Sequence, residues 1–409
     1  MIERMAKIWR IFSAAPHRMF FLAGTMQSLC VMIWWLVDLG GRFGQHYAPV
    51  NWSMSALDAH AFLMLFGFFP FFIFGFLMTT YPRWMNGEEV ERRFYVPAFI
   101  LMVAGNGLLY VALTNKFWLA VAGVLFLGGW GAGLYALLRV YWRAKHPDKR
   151  HALITSIVLA LGWLLAASWF AGTTGETSLP VTIAKSGGIW MLLLPVFFVV
   201  SHRMIPFFSA NVIPGYTIVR PYWALALIWL ASMLHGLMEI AGFYRWLWLV
   251  DLPMAALALY LTLSWRLLAS MATPLLAMLH IGFAWLSVSM LLFGVQSLLL
   301  MGGHVLLGRA PLHALVLGYF TSMVLGMVTR VTLGHSGRTL TADRLTWTIF
   351  LVFQGAVLLR IASEIPGVGF EMRSWLFLGS ALIWLITFGI WAHHFGHMYW
   401  TPRSDGKPG

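Results

Sequence analysis

The stretch His313–Arg338, HALVLGYFTSMVLGMVTRVTLGHSGR, decides how the chain is read. Between its polar ends runs an apolar segment long enough to cross a bilayer, which takes about 20 such residues. Comparable runs fall near 19–40, 58–81, 93–113, 117–141, 151–171, 185–206, 219–240, 245–266, 274–300, 311–333, 345–363 and 371–395. Of the 409 residues 60% are hydrophobic and 10% charged, and the mean hydropathy is +0.78, far from the balance of a water-soluble domain. The expected fold is all-α: a polytopic integral membrane helical bundle of about 12 transmembrane helices. No linker divides the chain, so residues 1–409 are read as a single integral membrane domain in contact with the lipid bilayer.

The formal charge of +13 would suggest nucleic acid in a soluble protein. Here the placement of the cations matters more than their sum, because Lys and Arg collect in loops that stay on the cytoplasmic side. Only Arg42, Lys116, Lys185, Arg245, Arg309 and Arg373 fall in one set of loops, and Arg360 lies within a span. All other Lys and Arg residues, Lys407 included, fall in the alternate loops and the two termini. Both termini are therefore expected to be cytoplasmic, with 1–18 a retained basic interfacial segment and 396–409 a cytoplasmic tail. The charge reads as topology, and no nucleic-acid partner is implied. The single Cys30 excludes a disulfide framework and a thiolate metal cage. No phosphate-binding glycine loop, nucleophile elbow or HExxH motif occurs, so hydrolase and nucleotide chemistry have no support.

Fourteen histidines remain to be explained. His17, His146 and His151 sit in basic cytoplasmic segments and His46 in an outer loop, and these are expected to face water. The topology gathers His60, His235, His304 and His313 toward the outer face. It gathers His202, His280, His335, His393, His394 and His397 toward the inner face. His313 and His335 are 22 residues apart in sequence, about 33 Å along a helix, so one ion cannot bind both. Two separate sites are expected, one near each membrane face. Imidazoles projecting from different helices into a bundle are a common way of holding haem iron or copper, whereas one membrane-end histidine more often only hydrogen-bonds. Adjacent His393 and His394 point about 100° apart on a helix, so at most one serves a given site.

Ala314, Gly318, Ser322, Gly326 and Arg330 recur every four residues and form a face of small side chains that ends in a cation. Such a face lets helices approach closely, which accounts for the small residues and leaves Arg330 as a snorkelling or topology-setting cation. Trp34, Trp35, Trp52, Trp84, Trp142, Trp246, Trp248 and Trp400 lie near span ends, as in an aromatic belt. Asp38, Asp58, Glu239, Asp251, Glu364 and Glu371 are all placed in the outer half or outer loops, away from mid-span. That weakens, without removing, the alternative of a multi-pass transporter for a small solute or metal ion, which usually needs an ionisable relay at depth.

Several segments together carry a resemblance. They are His313-Ala314-Leu315 with Gly318, Met327-Val328-Thr329-Arg330, and Leu333-Gly334-His335-Ser336-Gly337-Arg338. MLFGF (64–68), GFLMTTYPRW (75–84), RMIPFFSAN (203–211) and LHIGFAW (279–285) agree with them. In this order the chain resembles the NnrS family. The resemblance implies a twelve-helix protein of the bacterial inner membrane that binds haem b and copper and takes part in nitric oxide metabolism, mainly resistance to nitrosative stress. Where the family pattern reads HAHEM, this chain has His60-Ala61-Phe62-Leu63-Met64, with Phe62 and Leu63 in place of a histidine and a glutamate. On residues and resemblance together, His60 and His313 are expected to meet near the outer face as haem ligands. His280 and His335, aided by Arg330 and Arg338, are expected to form an inner site for a second metal or for haem propionates, which arginine forks suit. An apolar, dry pocket around ferrous haem would favour a small uncharged diatomic ligand such as nitric oxide.

Overall fold

A computed structural model describes residues 2–44, 47–175 and 178–406, so His46 and Lys407 lie outside the described residues. Helix α1 (Ile2–Phe12) carries Arg4, Lys7 and Arg10 while leaving Met5, Ile8 and Trp9 exposed, the pattern of a segment lying in an interface. Among the described residues twelve apolar helical segments of 17 residues or more follow. They are α2 (Pro16–Arg42), α3 (Ala56–Trp84), α4 (Arg92–Ala112), α5 (Lys116–Arg143), α6 (Arg150–Thr173) and α7 (Leu179–Val212). The second set comprises α8 (Tyr222–Ile240), α9 (Trp248–Ser264), α10 (Pro274–Met301), α11 (Ala310–His335), α12 (Arg344–Ala362) and α13 (Phe370–Tyr399). Eleven are long and apolar enough to cross a membrane; α9, at 17 residues, is the short one. The outward side chains are hydrocarbon, as at Val124, Leu164, Leu263 and Ile33, because the solvent around these helices is lipid.

Burial ranks the helices. The apolar window of α3 is 94% buried and those of α7 and α11 are 78% buried, against 33% for α4, α8, α12 and α13, so α3, α7 and α11 form the centre and the others a wall. The ends of the chain share one face. The buried Arg18 guanidinium donates from Nη1 to the carbonyls of Thr401 (2.9 Å), Tyr399 (3.3 Å) and Met398 (3.4 Å), clasping the start of α2 to the end of α13. That agrees with both termini lying on the same side.

Three central helices are irregular where they meet polar groups. Within α3 the helix breaks between Leu65 and Phe69 because Pro70 has no N–H to donate and Gly67 turns its own N–H to Phe62 O. The released Leu63 carbonyl is met by Gln27 Nε2 at 3.4 Å, and Gln27 is held in turn by Tyr110 (3.0 Å). In α7 and α11 the windings at Gly188–Leu193 and Ala314–Thr321 widen to π-helix, a feature frequent at functional sites. In the second, Thr321 Oγ1 donates to Val316 O at 2.8 Å, five residues back.

The small-residue face of α11 is a packing seam, as expected: a Cβ on Gly318 would stand 2.6 Å from Trp285, and one on Gly326 2.9 Å from Leu279, both on α10. The seam between α4 and α5 is tighter still, since Cβ atoms on Gly105 and Gly129 would meet backbone nitrogens of the facing helix at 2.4 and 2.5 Å. The aromatic belt is only partly a belt. Trp142, Trp246 and Trp400 face outward, whereas Trp34 and Trp84 are buried in the bundle.

Candidate functional site: histidines at the two faces

At the outer end of the bundle the His60 ring, on α3, stacks on Trp35 of α2 with centroids 3.9 Å apart and planes 17° apart. The Arg42 guanidinium covers the same indole at 5.1 Å and is itself paired with Asp38, which also accepts from Trp52 Nε1 (3.0 Å). His60 Nδ1 is buried without a hydrogen-bond partner. A buried ring nitrogen in that state is uncommon and asks for a ligand. His313 follows the first turn of α11, and its Nδ1 lies 2.9 Å from the Arg309 carbonyl. A carbonyl only accepts, so Nδ1 must carry the proton, and in the neutral ring Nε2 is left with the lone pair. The His60 ring and the Arg360 guanidinium are both electrostatic neighbours of the His313 ring. Arg360 is neutralised by Glu364 at 2.7 Å. The Arg360 charge also bears on the His60 ring.

Phe62 and Leu63 are both buried. The Phe62 ring packs among Phe66, Phe126, Trp169 and Phe170, with Trp169 at 4.3 Å. Phe62 is thus part of an aromatic core, and neither side chain is a metal donor.

At the inner end the expectation needs correction. His335 does not sit with His280; it lies against His17, with ring centroids 4.5 Å apart and planes at 52°. His17 is 2% exposed, not water-facing, because Pro16 starts α2 inside the bundle rather than in the basic arm. Thr79 Oγ1 stands 3.5 Å from His17 Nδ1, and Arg18, Arg83 and Arg403 ring the pair. His280, buried on α10, instead meets Ser209 Oγ at 2.9 Å across the α7 interface. His151, also expected to face water, is 2% exposed: its Nε2 lies 3.1 Å from His202 Nδ1. Because His202 Nε2 donates to Pro221 O at 3.0 Å, its Nδ1 accepts and His151 Nε2 is the donor.

The arginines separate likewise. Arg330 is buried with its guanidinium 3.9 Å over the Phe208 ring, and among the described residues it has no carboxylate partner. Arg338 has a buried Nη1 with no partner. The LGHSGR turn around it is closed by the C-terminal tail: Ser404 N–H donates to Ser336 O (2.9 Å) and Ser404 Oγ to Gly337 O (2.8 Å). Of the remaining histidines, His304, His393 and His397 are exposed, and His394 pairs with Asp343 at 3.3 Å. His235 does not join the outer pair, since its Nδ1 lies 2.6 Å from Asp251 Oδ1.

Among the described residues no group of three or more His, Cys, Asp or Glu is arranged to hold a metal ion, so any metal at these histidines would need further donors. Between the two faces lies a cleft of about 50 Å³ lined wholly by hydrocarbon from α2, α3, α7 and α11, including Phe21, Phe76, Val200, Met323 and Val328. Its Phe21 wall stands 6.0 Å from the His17 ring.

A comparison with curated proteins found no match. The family model described as NnrS protein matches residues 11–403, from the end of the basic arm to the tail that closes the LGHSGR turn. The chain belongs to the NnrS family, as a multi-pass helical membrane protein.

Proposed function

We propose that this protein is a haem-binding protein of the bacterial inner membrane that takes part in nitric oxide metabolism and resistance to nitrosative stress, with a second metal, copper, at its inner histidines. The observation that carries the reading is the outer pair: His60 keeps a buried nitrogen with no partner while His313 is locked with Nε2 free. Orientation of one ring nitrogen by a carbonyl so that the other can ligate is the usual support of a metal-binding histidine. Trp35 closes one side of His60 and keeps water from it. Haem, when bound, supplies an iron that takes a small diatomic ligand.

The inner pair suits a different group. A metal–nitrogen bond of about 2.0 Å puts each ring centre roughly 3.2 Å from the ion, so rings facing each other across iron would stand about 6.4 Å apart. Centroids 4.5 Å apart at His17 and His335 fit two nitrogens on one small ion at an angle, and leave no room for a haem between them. Imidazole is a good ligand for copper. Arg330 and Arg338, neither paired with a carboxylate among the described residues, are cations available to an anionic group on this side. The hydrocarbon cleft beside His17 gives an uncharged, bilayer-soluble molecule such as nitric oxide a place to stand.

The test is an absorption spectrum with metal analysis of protein purified from haem-replete cells. His60→Ala and His313→Ala should each abolish the Soret band; a normal band in both overturns the ligand assignment. A second reading, a proton-coupled carrier, is favoured by the fully buried His235–Asp251 pair. Wild-type protein with no haem band and no bound metal would select it.

A further inference from the structure

His235 on α8 and Asp251 on α9 are both completely buried, with Nδ1 and Oδ1 2.6 Å apart. A charge or an unshared polar atom at such a place is costly in hydrocarbon. Yet the two outer atoms of the pair, His235 Nε2 and Asp251 Oδ2, are buried with no hydrogen-bond partner. One turn further along α8, Glu239 brings Oε2 to 3.9 Å from His235 Nε2, and Glu239 is one-third exposed (33%), so it links the buried pair to the surface.

The carboxylate of Glu239 is deliberately held. Trp190 Nε1 donates to Oε2 at 2.6 Å and Ser186 Oγ at 2.9 Å. Trp190 lies in the π-helical stretch of α7, and its indole also stacks on the His235 ring at 3.4 Å. The other charged groups nearby are accounted for: Lys185 on α7 is taken by Asp58 at 2.5 Å, and Arg245 in the loop before α9 is exposed. Helix α10, packed on α9, presents Phe293 and Ser297 here; its one titratable residue, His280, lies near its opposite end. Among the described residues no cation compensates the two carboxylates except the His235 ring itself.

We propose that Glu239, His235 and Asp251 form a proton-binding site that loads from the outer aqueous face and stores the proton on the buried pair. A proton taken by Glu239 passes to His235 Nε2 when the 3.9 Å gap closes. The Nδ1 proton then moves along the existing 2.6 Å bond to Asp251, and the reverse sequence returns it. No electron moves and no bond other than N–H and O–H is made or broken. The site does not depend on haem or copper, so its test is separate from that of the function proposed above.

The experiment is infrared difference spectroscopy of the full-length protein in lipid, following a pH change between about pH 5 and pH 9, a window that brackets an ordinary imidazole. Wild-type protein should show a protonated-carboxylic C=O band that grows as pH falls and shifts in deuterated water. Asp251→Asn should remove that band. Glu239→Gln should keep it while slowing its appearance after a pH jump by at least about tenfold, the effect of about 1.4 kcal/mol on a barrier. A band unaltered in Asp251→Asn, or unaltered kinetics in Glu239→Gln, overturns the proposal. If the Asn variant does not fold, a wild-type spectrum with no titrating carboxylic band overturns it equally.

Discussion

His17 and His335, separated by most of the chain, face each other with ring centroids 4.5 Å apart at the inner end of the bundle. The first residues of α2 and the last of α11 meet there because Arg18 pins the start of α2 to the carbonyls that end α13, and the tail after α13 closes the turn after α11. The inner site is thus assembled from three distant segments and held by backbone contacts rather than by the histidines themselves.

A first expected outcome concerns that pair. His17→Ala or His335→Ala should remove the second metal from purified protein, measured by elemental analysis, and leave the Soret band in place. Loss of the Soret band together with the metal would mean one shared site, against the separation of about 33 Å that the span of α11 imposes.

Arg18→Ala should lower stability markedly. It removes a buried guanidinium from three carbonyls at 2.9–3.4 Å, and hydrogen bonds to a charged group contribute about 1.5–3 kcal/mol net. Thermal unfolding in detergent should show the drop, with the C-terminal tail becoming sensitive to protease first.

Gly105→Ala and Gly129→Ala test the α4–α5 seam. Each Cβ would meet a backbone nitrogen at 2.4–2.5 Å, which only a shift of the whole helix can relieve. Overpacking of this kind costs about 1–3 kcal/mol. Gly107→Ala, on the same helix with open space at its Cβ, should be close to neutral in the same assay.

Arg330→Met separates stability from binding. The buried cation has Phe208 beneath it and no carboxylate among the described residues, so a methionine of similar length should leave the metal-free protein as stable or more so, by about 1 kcal/mol. If Arg330 serves an anionic group, the same variant should lose cofactor retention in proportion. A less stable metal-free variant with unchanged cofactor content would assign the residue to structure alone.

Low pH should loosen the loop before α6. The Arg150 side chain, with Tyr222 Oη donating at 2.6 Å, holds the Asp148 carboxyl well below the usual carboxylate range. A depressed acid stabilises the fold above its unfolded value and loses that contribution as pH falls through the folded one. The effect should therefore appear only below about pH 4, and be small, since the group is near water. Asp148→Asn should remove the acid dependence of α8 hydrogen exchange; an unchanged profile would place it elsewhere.

Sequence alone determined the things that depend on composition and local periodicity. Apolar runs of bilayer length marked the eleven helices long enough to span among the described residues, and the shorter α9 beside them, because hydrocarbon forces each segment to satisfy its own backbone. The cation bias put both termini on one side, and the four-residue recurrence through Gly318, Ser322 and Gly326 marked a real seam.

Tertiary structure decided the partners, since depth is a one-dimensional quantity and contact needs the rotation and neighbours of each helix. His17 and His151 looked water-facing amid basic residues, and only packing shows that both are enclosed. His280 lies level with Met323 and Gly326, well short of His335 along α11, and turns toward Ser209. The π-helical windings that aim Trp190 at His235, and the carboxylate of Asp251 behind it, leave no signature in spacing, because a one-residue change of winding alters which face a side chain occupies without altering the residues themselves.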